Sequence, residues 1–228
     1  MRRYAISLLL VLLPLLAAAE DNKQQLRDSL KAATELLAYH PDSLDLRLRK
    51  AAWNLQLEQW DYAKTEYDYV IGRDPANLAA RYYRAFANEK LKRYNFARLD
   101  YEAVLTAAPG NFEAQLGLAL LNQLDSHYTE AFDQINRLVE QFPDSAVAYA
   151  ARGGIERERG MNELAVYDYR EAIRRDTACI DYRTSLVDVL IALRRCDEAL
   201  RELDAIAALG VPRGTLQSLY RRARKNGK

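Results

Sequence analysis

Residues 78–111 read LAARYYRAFANEKLKRYNFARLDYEAVLTAAPGN, and this stretch shows the period on which the chain is built. Its proline belongs to a set of four that recur every 34 residues: Pro41, Pro75, Pro109 and Pro143. Self-similarity at a fixed period of this size is the sequence signature of a protein that stacks short repeated units. The spacing therefore predicts a tandem-repeat architecture and marks the boundaries of each unit.

The composition favours a folded, helical chain that is close to neutral. Half of the 228 residues are apolar, and 33 basic residues nearly balance 32 acidic ones. Such a chain has enough apolar surface to build a core, and it lacks the basic surplus that is typical of nucleic-acid-binding proteins. Only nine glycines and six prolines are present, which suits helices joined by short turns.

Residues 1–19, MRRYAISLLLVLLPLLAAA, have the layout of a secretory signal peptide. Arg2 and Arg3 precede an apolar run, and the alanines at 17–19 supply the small residues of a cleavage site. The apolar run is shorter than the roughly 20 residues that a membrane-spanning helix needs, and Pro14 interrupts it. We therefore expect an exported protein in the periplasm or cell envelope of a bacterium, with a retained membrane anchor as the alternative.

Apolar spacing predicts one helix within residues 20–43 and then five copies of the repeat across residues 44–213. In every copy position 27 is apolar and position 24 is large, and position 8 is small in the first four copies. Position 20 is alanine in all five: Ala63, Ala97, Ala131, Ala165 and Ala199. Two helices approach closely only where the side chains at their crossing are small. The pattern therefore predicts a pair of packed helices in each copy.

A small residue at position 8, alanine at 20, an aromatic residue at 24 and proline at 32 together resemble the tetratricopeptide repeat. The resemblance covers residues 44–213 and implies an all-α, right-handed superhelix, an α–α solenoid of about five helix–turn–helix repeats with a capping helix at each end. Residues 214–228 would form the C-terminal capping helix and a basic tail, which either is solvated or touches acidic lipid or a partner. Thr177 stands where the proline before the fifth copy is expected, and Val187 replaces the small residue of that copy, so the register of the fifth copy is left open.

The two cysteines, Cys179 and Cys196, would lie at opposite ends of the first helix of the fifth repeat. A helical rise of 1.5 Å per residue puts them on the order of 20–25 Å apart. A disulfide needs Cα atoms within about 7 Å. We therefore expect two free thiols.

The sequence contains no nucleophile elbow, zinc-protease motif or dinucleotide-binding fingerprint. Acidic residues such as Asp61, Glu66 and Asp68 alternate with basic ones at helical surface spacing, and we interpret them as solvated charges. These observations predict a protein that is not an enzyme and that has no cofactor and no metal site.

The resemblance to the family also implies where a partner binds. The first helix of each repeat would line a concave groove through its positions 2, 5, 9 and 12. Transferred to this chain, these positions give seven partner-binding candidates: Tyr82, Phe86, Glu89, Leu116, Leu120, Gln123 and Arg157. Apolar side chains with a polar rim suit a peptide or an amphipathic helix. The alternative is that these side chains are buried in packing between neighbouring repeats.

From these features we expect an exported scaffold or adaptor that binds another protein in its groove. We expect no nucleic acid and no small-molecule cofactor among its partners, and contact with a membrane only by association. A first alternative is a regulatory subunit that docks onto an envelope enzyme. A second is a cell-wall polymer hydrolase, for which Glu89 with Glu113 is the acid pair that the groove would offer.

Overall fold

The computed structural model describes residues 4–226 of the chain, with side chains described from Asn22 to Lys225. Helices are the only regular secondary structure in this range, which confirms the expected all-α class. The helices are α1 (Tyr4–Tyr39), α2 (Leu44–Gln56), α3 (Trp60–Arg73), α4 (Leu78–Lys90), α5 (Tyr94–Ala107), α6 (Phe112–Leu124), α7 (Tyr128–Gln141), α8 (Ala146–Glu158), α9 (Asn162–Arg175), α10 (Ile180–Ala192), α11 (Cys196–Ala208) and α12 (Gln217–Asn226).

The predicted signal peptide, residues 1–19, falls in the part of the chain whose side chains lie outside the described residues. It therefore stays a prediction. In the portion that is described, no helix combines the length and the apolar character needed to cross a membrane.

Helices α2 to α11 form five helix–turn–helix pairs, as the repeat pattern predicts. The first helices of the pairs begin 34 residues apart, at Leu44, Leu78, Phe112, Ala146 and Ile180. The fifth pair therefore keeps the register of the others, and the departures at Thr177 and Val187 do not shift it. Val187 is fully buried in the core of this pair, where it replaces the small residue of the other copies.

The chain folds into two compact units, one ending at Pro109 and the other beginning at Gly110. In the first unit, α1 packs against α2, α2 against α3, α3 against α4, and α4 against α5. In the second unit each helix from α6 to α11 packs against the next, and α12 packs against α10 and α11. Within each unit the helices thus contact their neighbours in sequence, as stacked repeats do.

The predicted small and large positions build the cores of the helix pairs. The five alanines of position 20 are fully buried, and Tyr67, Tyr101 and Tyr169 of position 24 are buried beside them. At Gly153, an added Cβ would lie 3.3 Å from the Cβ of Asp168. The two helices of a repeat therefore meet most closely where the sequence supplies small side chains.

The turn inside each pair passes through a residue with left-handed backbone geometry. The φ angles at position 15 are 58° at Glu58, 58° at Lys92, 63° at Ser126, 74° at Gly160 and 58° at Arg194. The next N–H then bonds back to the end of the first helix, as from Arg93 to the carbonyl of Asn88 at 2.8 Å. This bond satisfies a carbonyl that the helix end leaves free. Only the fourth repeat uses glycine, which adopts this geometry without steric cost.

The loops between repeats end in residues that cap the next helix. The side chains of Ser43, Asn77, Asn111 and Ser145 each accept a hydrogen bond from the backbone N–H three residues later. Cys179 occupies the equivalent position in the fifth repeat and makes no such bond. The first helix of the fifth repeat therefore lacks a stabilising contact that the other four possess.

The two thiols occupy the predicted ends of one helix. Cys179 precedes α10, and Cys196 is the first residue of α11. Both cysteines are free thiols. The 13 residues of α10 that separate them span about 20 Å.

An acidic side chain at position 23 lies between the two helices of its own repeat in four of the five copies. Glu66 pairs with Arg47 and Lys50, each at 2.8 Å. The equivalent acids pair as Asp100 with Arg84, Asp168 with Arg152, and Glu202 with Arg183. The third repeat replaces this ion pair by the neutral residues Leu118 and Gln134.

The interpretation of Glu66 as a solvated charge was wrong, because only 7% of this residue is exposed. Its spacing does place it on a helix surface, but that surface faces the basic residues of α2. Asp61 is exposed and Asp68 is half-exposed, so the interpretation fits these two carboxylates better. Buried carboxylates are tolerated when a cation and hydrogen bonds compensate them, as the cations of α2 do here.

Candidate functional site

The first candidate surface lies on α4 in the first unit and consists of Tyr82, Phe86 and Glu89; we call it the α4 surface. The ring of Tyr82 is half-buried, with its centroid 5.8 Å from that of Tyr101. Phe86 meets the ring of Trp60 edge to face, with centroids 5.9 Å apart. Part of each aromatic ring is thus buried by packing inside the unit, and the remaining part is exposed to solvent. Sequence spacing did not reveal Trp60 and Tyr101 as the residues that support this surface.

Glu89 is a half-buried carboxylate at the edge of the α4 surface. Burial raises the pKa of Glu89 above its ordinary value, while Lys90 and a hydrogen bond from the Tyr101 hydroxyl oppose that shift. The Nζ atom of Lys90 lies 3.5 Å from the carboxylate and 4.8 Å from the centre of the Phe86 ring. Since water reaches this carboxylate only in part, an N–H or ammonium donor from a partner would add solvation that it lacks.

The second candidate surface lies in the second unit and consists of Leu116, Leu120, Gln123 and Arg157; we call it the α6–α8 surface. Leu116 is partly buried against the core of its repeat, whereas 37% of Leu120 is exposed. Gln123 donates a hydrogen bond from Nε2 to Oε2 of Glu158 at 3.0 Å, which ties α6 to α8. Arg157 is exposed near the end of α8. The second unit therefore presents an aliphatic strip with a polar and basic edge.

An open depression of about 560 Å³ adjoins the α6–α8 surface at the ends of α6 and α8. Its lining includes Leu124 and Tyr128, which are 55% and 47% exposed. The guanidinium of Arg159 donates to the backbone oxygen of Tyr128 at 3.1 Å and so holds this corner in place. Leu124 and Tyr128 were not predicted from the sequence, because they lie beside the turn between helices, away from the four positions that the family pattern marks. A leucine and an aromatic residue on either side of the predicted turn are the sequence signal that would have indicated them.

A third apolar surface lies on α5, on the second helix of its repeat. Phe96 and Leu99 are 62% and 63% exposed and border a cleft of about 360 Å³. The floor of this cleft is polar and includes the Arg84–Asp100 pair. Exposed apolar side chains are therefore not confined to the first helices of the repeats, and this pair offers a comparison for the α4 surface.

The chemistry that these surfaces offer is contact and hydrogen bonding. Of the acid pair considered for hydrolysis, Glu89 lies in the first unit and Glu113 in the second. In residues 22–225, no group of three or more histidine, cysteine, aspartate or glutamate side chains is arranged to hold a metal ion. The described side chains thus supply apolar faces with polar edges.

Comparison with solved structures identifies the fold. A tetratricopeptide repeat protein from Parabacteroides merdae matches with a TM-score of 0.74 and 19% identity, over 94% of this chain and 84% of its own. A thermophilic protein of the same repeat type from Thermus thermophilus matches with a TM-score of 0.65 and 18% identity, over 79% and 98% of the two chains. YrrB, a protein of this repeat type with an unusual peptide-binding site, matches with a TM-score of 0.55 and 17% identity, over 86% and 99%.

No model of a protein family and no curated protein sequence matches this chain. At the identities above, likeness to solved structures establishes the fold alone. The chain has the fold of tetratricopeptide-repeat solenoids.

Proposed function

We propose that this chain is a non-enzymatic protein–protein interaction module that acts as an exported scaffold or adaptor. The observation that carries the proposal is the α4 surface, where two half-buried aromatic rings stand beside the half-buried carboxylate of Glu89. Aromatic side chains of this kind dominate the binding energy of many protein interfaces. The described residues offer contact surface rather than a constellation of reactive groups.

The partner of the α4 surface is an extended peptide or an amphipathic helix that places apolar side chains on Tyr82 and Phe86. Covering the open parts of both rings would remove apolar surface from water, and full burial of one such side chain is worth about 1.5–3 kcal/mol. A lysine or backbone N–H of the partner would meet Glu89. YrrB, which shares the fold, is itself a protein with a peptide-binding site, and this supports the same class of ligand here.

The α6–α8 surface contributes a second contact area in the second unit. Leu120 supplies its exposed apolar side chain, and Arg157 supplies a charge that favours an acidic residue of the partner. The depression beside Gln123 offers room for one further side chain. Each unit thus carries its own binding surface.

Export is part of the proposal because of the order of charges, apolar residues and small residues in residues 1–19. Mass spectrometry of the native protein tests it. Recovery from the periplasmic or envelope fraction of a chain that begins near Glu20 supports export with cleavage. Recovery of the full-length chain from the cytoplasm contradicts it.

The binding proposal is tested by affinity capture from native envelope extract, followed by mass spectrometry. The bait carries Tyr82→Ala with Phe86→Ala, and the matched control carries Phe96→Ala with Leu99→Ala on α5. We expect the first variant to lose a specific partner that the wild type and the control both retain. Unchanged capture by the first variant, with an unchanged thermal unfolding midpoint, contradicts the role of the α4 surface.

A further inference from the structure

The C-terminal end of the chain is strongly basic although the chain as a whole is nearly neutral. After Asp204 the remaining 24 residues contain six lysines and arginines and neither aspartate nor glutamate. Arg213 pairs with Asp204 at 2.8 Å, and Arg222 pairs with Asp188 at 2.9 Å. The other basic residues of α12 form no ion pair with a carboxylate anywhere in the described range: Arg221, Arg224 and Lys225. These three positive charges thus have no carboxylate partner among the described residues, and the guanidinium of Arg224 lies 5.8 Å from the centre of the Tyr220 ring.

These three cations lie on one exposed side of α12, which we call the basic face of α12. Their spacing of three and four residues places them on the same side of a helix. The opposite side is already occupied, since Leu216 and Ala223 are buried in the core formed with α10 and α11. Because α12 has no free apolar side, its exposed face can attract a partner by charge and not by insertion into a bilayer.

A complementary surface exists on α7 of the same unit. Glu130, Asp133 and Glu140 are exposed, and none of them pairs with a cation within the described part of the chain. They are spaced by three and seven residues, so they share one side of the helix, which we call the acidic face of α7. From residue 111 to residue 151 the sequence contains six acidic residues and a single arginine, Arg137. Arg137 is exposed on the same side of α7, between Asp133 and Glu140, so the three acidic residues leave this face with a net charge of −2.

We propose that the basic face of α12 docks on the acidic face of α7 in a second copy of this chain. Each copy carries both faces, and both consist of exposed charges that lack ion-pair partners among the residues that the structure describes. In one copy α12 is held against α10 and α11, so its cations are offered outward. This contact uses neither the α4 surface nor the α6–α8 surface, so it does not depend on the proposed peptide binding.

Exposed ion pairs are individually weak and are screened by salt. We therefore expect reversible self-association at low ionic strength that disappears in about 0.5 M NaCl, where the screening length falls to about 4 Å. Sedimentation of the full chain over a concentration series, at low and at high salt, measures this directly. The weight-average mass should rise with concentration only at low salt.

Two charge-reversed variants test the pairing of the faces. One carries Arg221→Glu with Lys225→Glu, and the other carries Asp133→Lys with Glu140→Lys. Each variant alone should sediment as a monomer at low salt, because both of its faces then have the same sign. An equimolar mixture of the two should associate at least as strongly as the wild type, because opposite charges meet again.

A matched control reverses two exposed cations elsewhere, as Lys31→Glu with Arg201→Glu, and should associate like the wild type. Circular dichroism confirms that all variants remain helical. A wild-type chain that stays monomeric at low salt overturns the proposal, and so does a mixture of the two variants that fails to associate. Monomeric wild-type chain that binds phosphatidylglycerol vesicles would assign the basic face to a lipid surface and would equally overturn it.

Discussion

Glu156 and Asp168 are buried carboxyl groups that face each other in the fourth repeat, and of the two only Asp168 accepts hydrogen bonds from the neighbouring Arg152. Arg152 donates to both oxygens of Asp168, from Nε at 2.6 Å and from Nη2 at 2.8 Å. Oε2 of Glu156 is buried and accepts no hydrogen bond from any described group. Burial, and then the negative charge of Asp168, raise the pKa of Glu156 to about 8, although Arg152 opposes the shift. Glu156 therefore holds a proton at neutral pH.

The other repeats explain what that proton does. Position 11 is asparagine in the first three repeats, and Asn122 donates from Nδ2 to Oε1 of Gln134 at position 23, at 2.9 Å. Glu156 and Asp168 occupy the same two positions in the fourth repeat. A protonated Glu156 is thus able to replace the amide donor by an O–H group directed at Asp168.

We expect the stability of the protein to fall as pH rises from about 4.5 to about 8. The pKa of Glu156 is about 8 in the folded chain against a reference value of 4.5, so the folded state binds a proton that the unfolded state releases in this range. The charged groups around Glu156 are Arg152 on its own helix and Asp168 on α9, and Tyr169 of α9 is a further titratable neighbour. Urea unfolding at about pH 5, about pH 6.5 and about pH 8 measures the slope of stability against pH.

Glu156→Gln should flatten that slope, because glutamine keeps the donor and does not titrate. At about pH 8 the variant should exceed the wild type by at least about 1 kcal/mol in free energy of unfolding. Glu140→Gln, at an exposed position, is the matched control and should leave the slope unchanged. Equal pH slopes for the wild type and Glu156→Gln would refute this account of the pair.

Replacing only one member of the Arg84–Asp100 ion pair in the second repeat should destabilise the protein, whereas replacing both members together should be tolerated. Arg84 donates to Asp100 at 2.6 and 2.8 Å and to Asp68 at 2.8 Å. Arg84→Leu leaves the buried Asp100 without this cation, and we expect a loss of about 3 kcal/mol. Adding Asp100→Gln copies the Leu118 and Gln134 of the third repeat and should restore most of that loss. Chemical denaturation measures the free energy of unfolding of both variants. A double variant as unstable as the single one would contradict the prediction.

A substitution at the N-terminus of α10 should stabilise the protein. Cys179 lacks the side-chain cap that the other four repeats have. Oδ1 of Asp176 accepts the N–H of Cys179 itself at 3.2 Å, and this bond does not replace the missing cap three residues later. Cys179→Asn introduces the cap of the second and third repeats and should raise stability by about 1 kcal/mol. Cys179→Ala removes the thiol without adding a cap and should bring no gain. Thermal unfolding compares the midpoints of the two variants, and equal midpoints would contradict the prediction.

The turn residues allow a paired test of backbone strain. Lys92 holds a left-handed φ of 58°, and Gly160 holds 74° at the equivalent position. Lys92→Gly should stabilise the chain by about 0.5–1 kcal/mol, since glycine relieves the steric cost of this geometry. Gly160→Ala should destabilise it by about 1 kcal/mol, because alanine introduces that cost. Shifts of the same sign in the two variants would exclude strain at position 15 as the cause.

The helices could be predicted from sequence because their boundaries depend on local chemistry. Proline ends a helix wherever it occurs between these repeats, and Ser43 or Ser145 caps the next helix through an oxygen three residues away. The buried acids could not be predicted in the same way. Helical spacing shows that Glu66 lies on a helix surface, and only the packing of α2 on α3 shows that this surface is covered.

The positions of the candidate surface residues could be predicted from the sequence, but the burial of their side chains could not. The positions of Tyr82 and Phe86 follow from the repeat register, but their half-burial depends on Tyr101 and Trp60, which approach from other helices. Leu124 borders an open depression beside the predicted Gln123, at a position that the repeat pattern does not mark. Contacts between helices thus decide how much of each side chain remains available to a partner.

The ion pairs of position 23 have a consequence for how such a chain grows. Each of the four acids at this position finds a cation inside the same repeat, as Asp168 finds Arg152 and Glu202 finds Arg183. Duplication or loss of one 34-residue segment therefore leaves none of these carboxylates stranded in the copies on either side. Whole repeats can therefore be added or removed during evolution without leaving a carboxylate of position 23 unpaired. In the same way, the chain could be extended by engineering in a further copy of the second repeat.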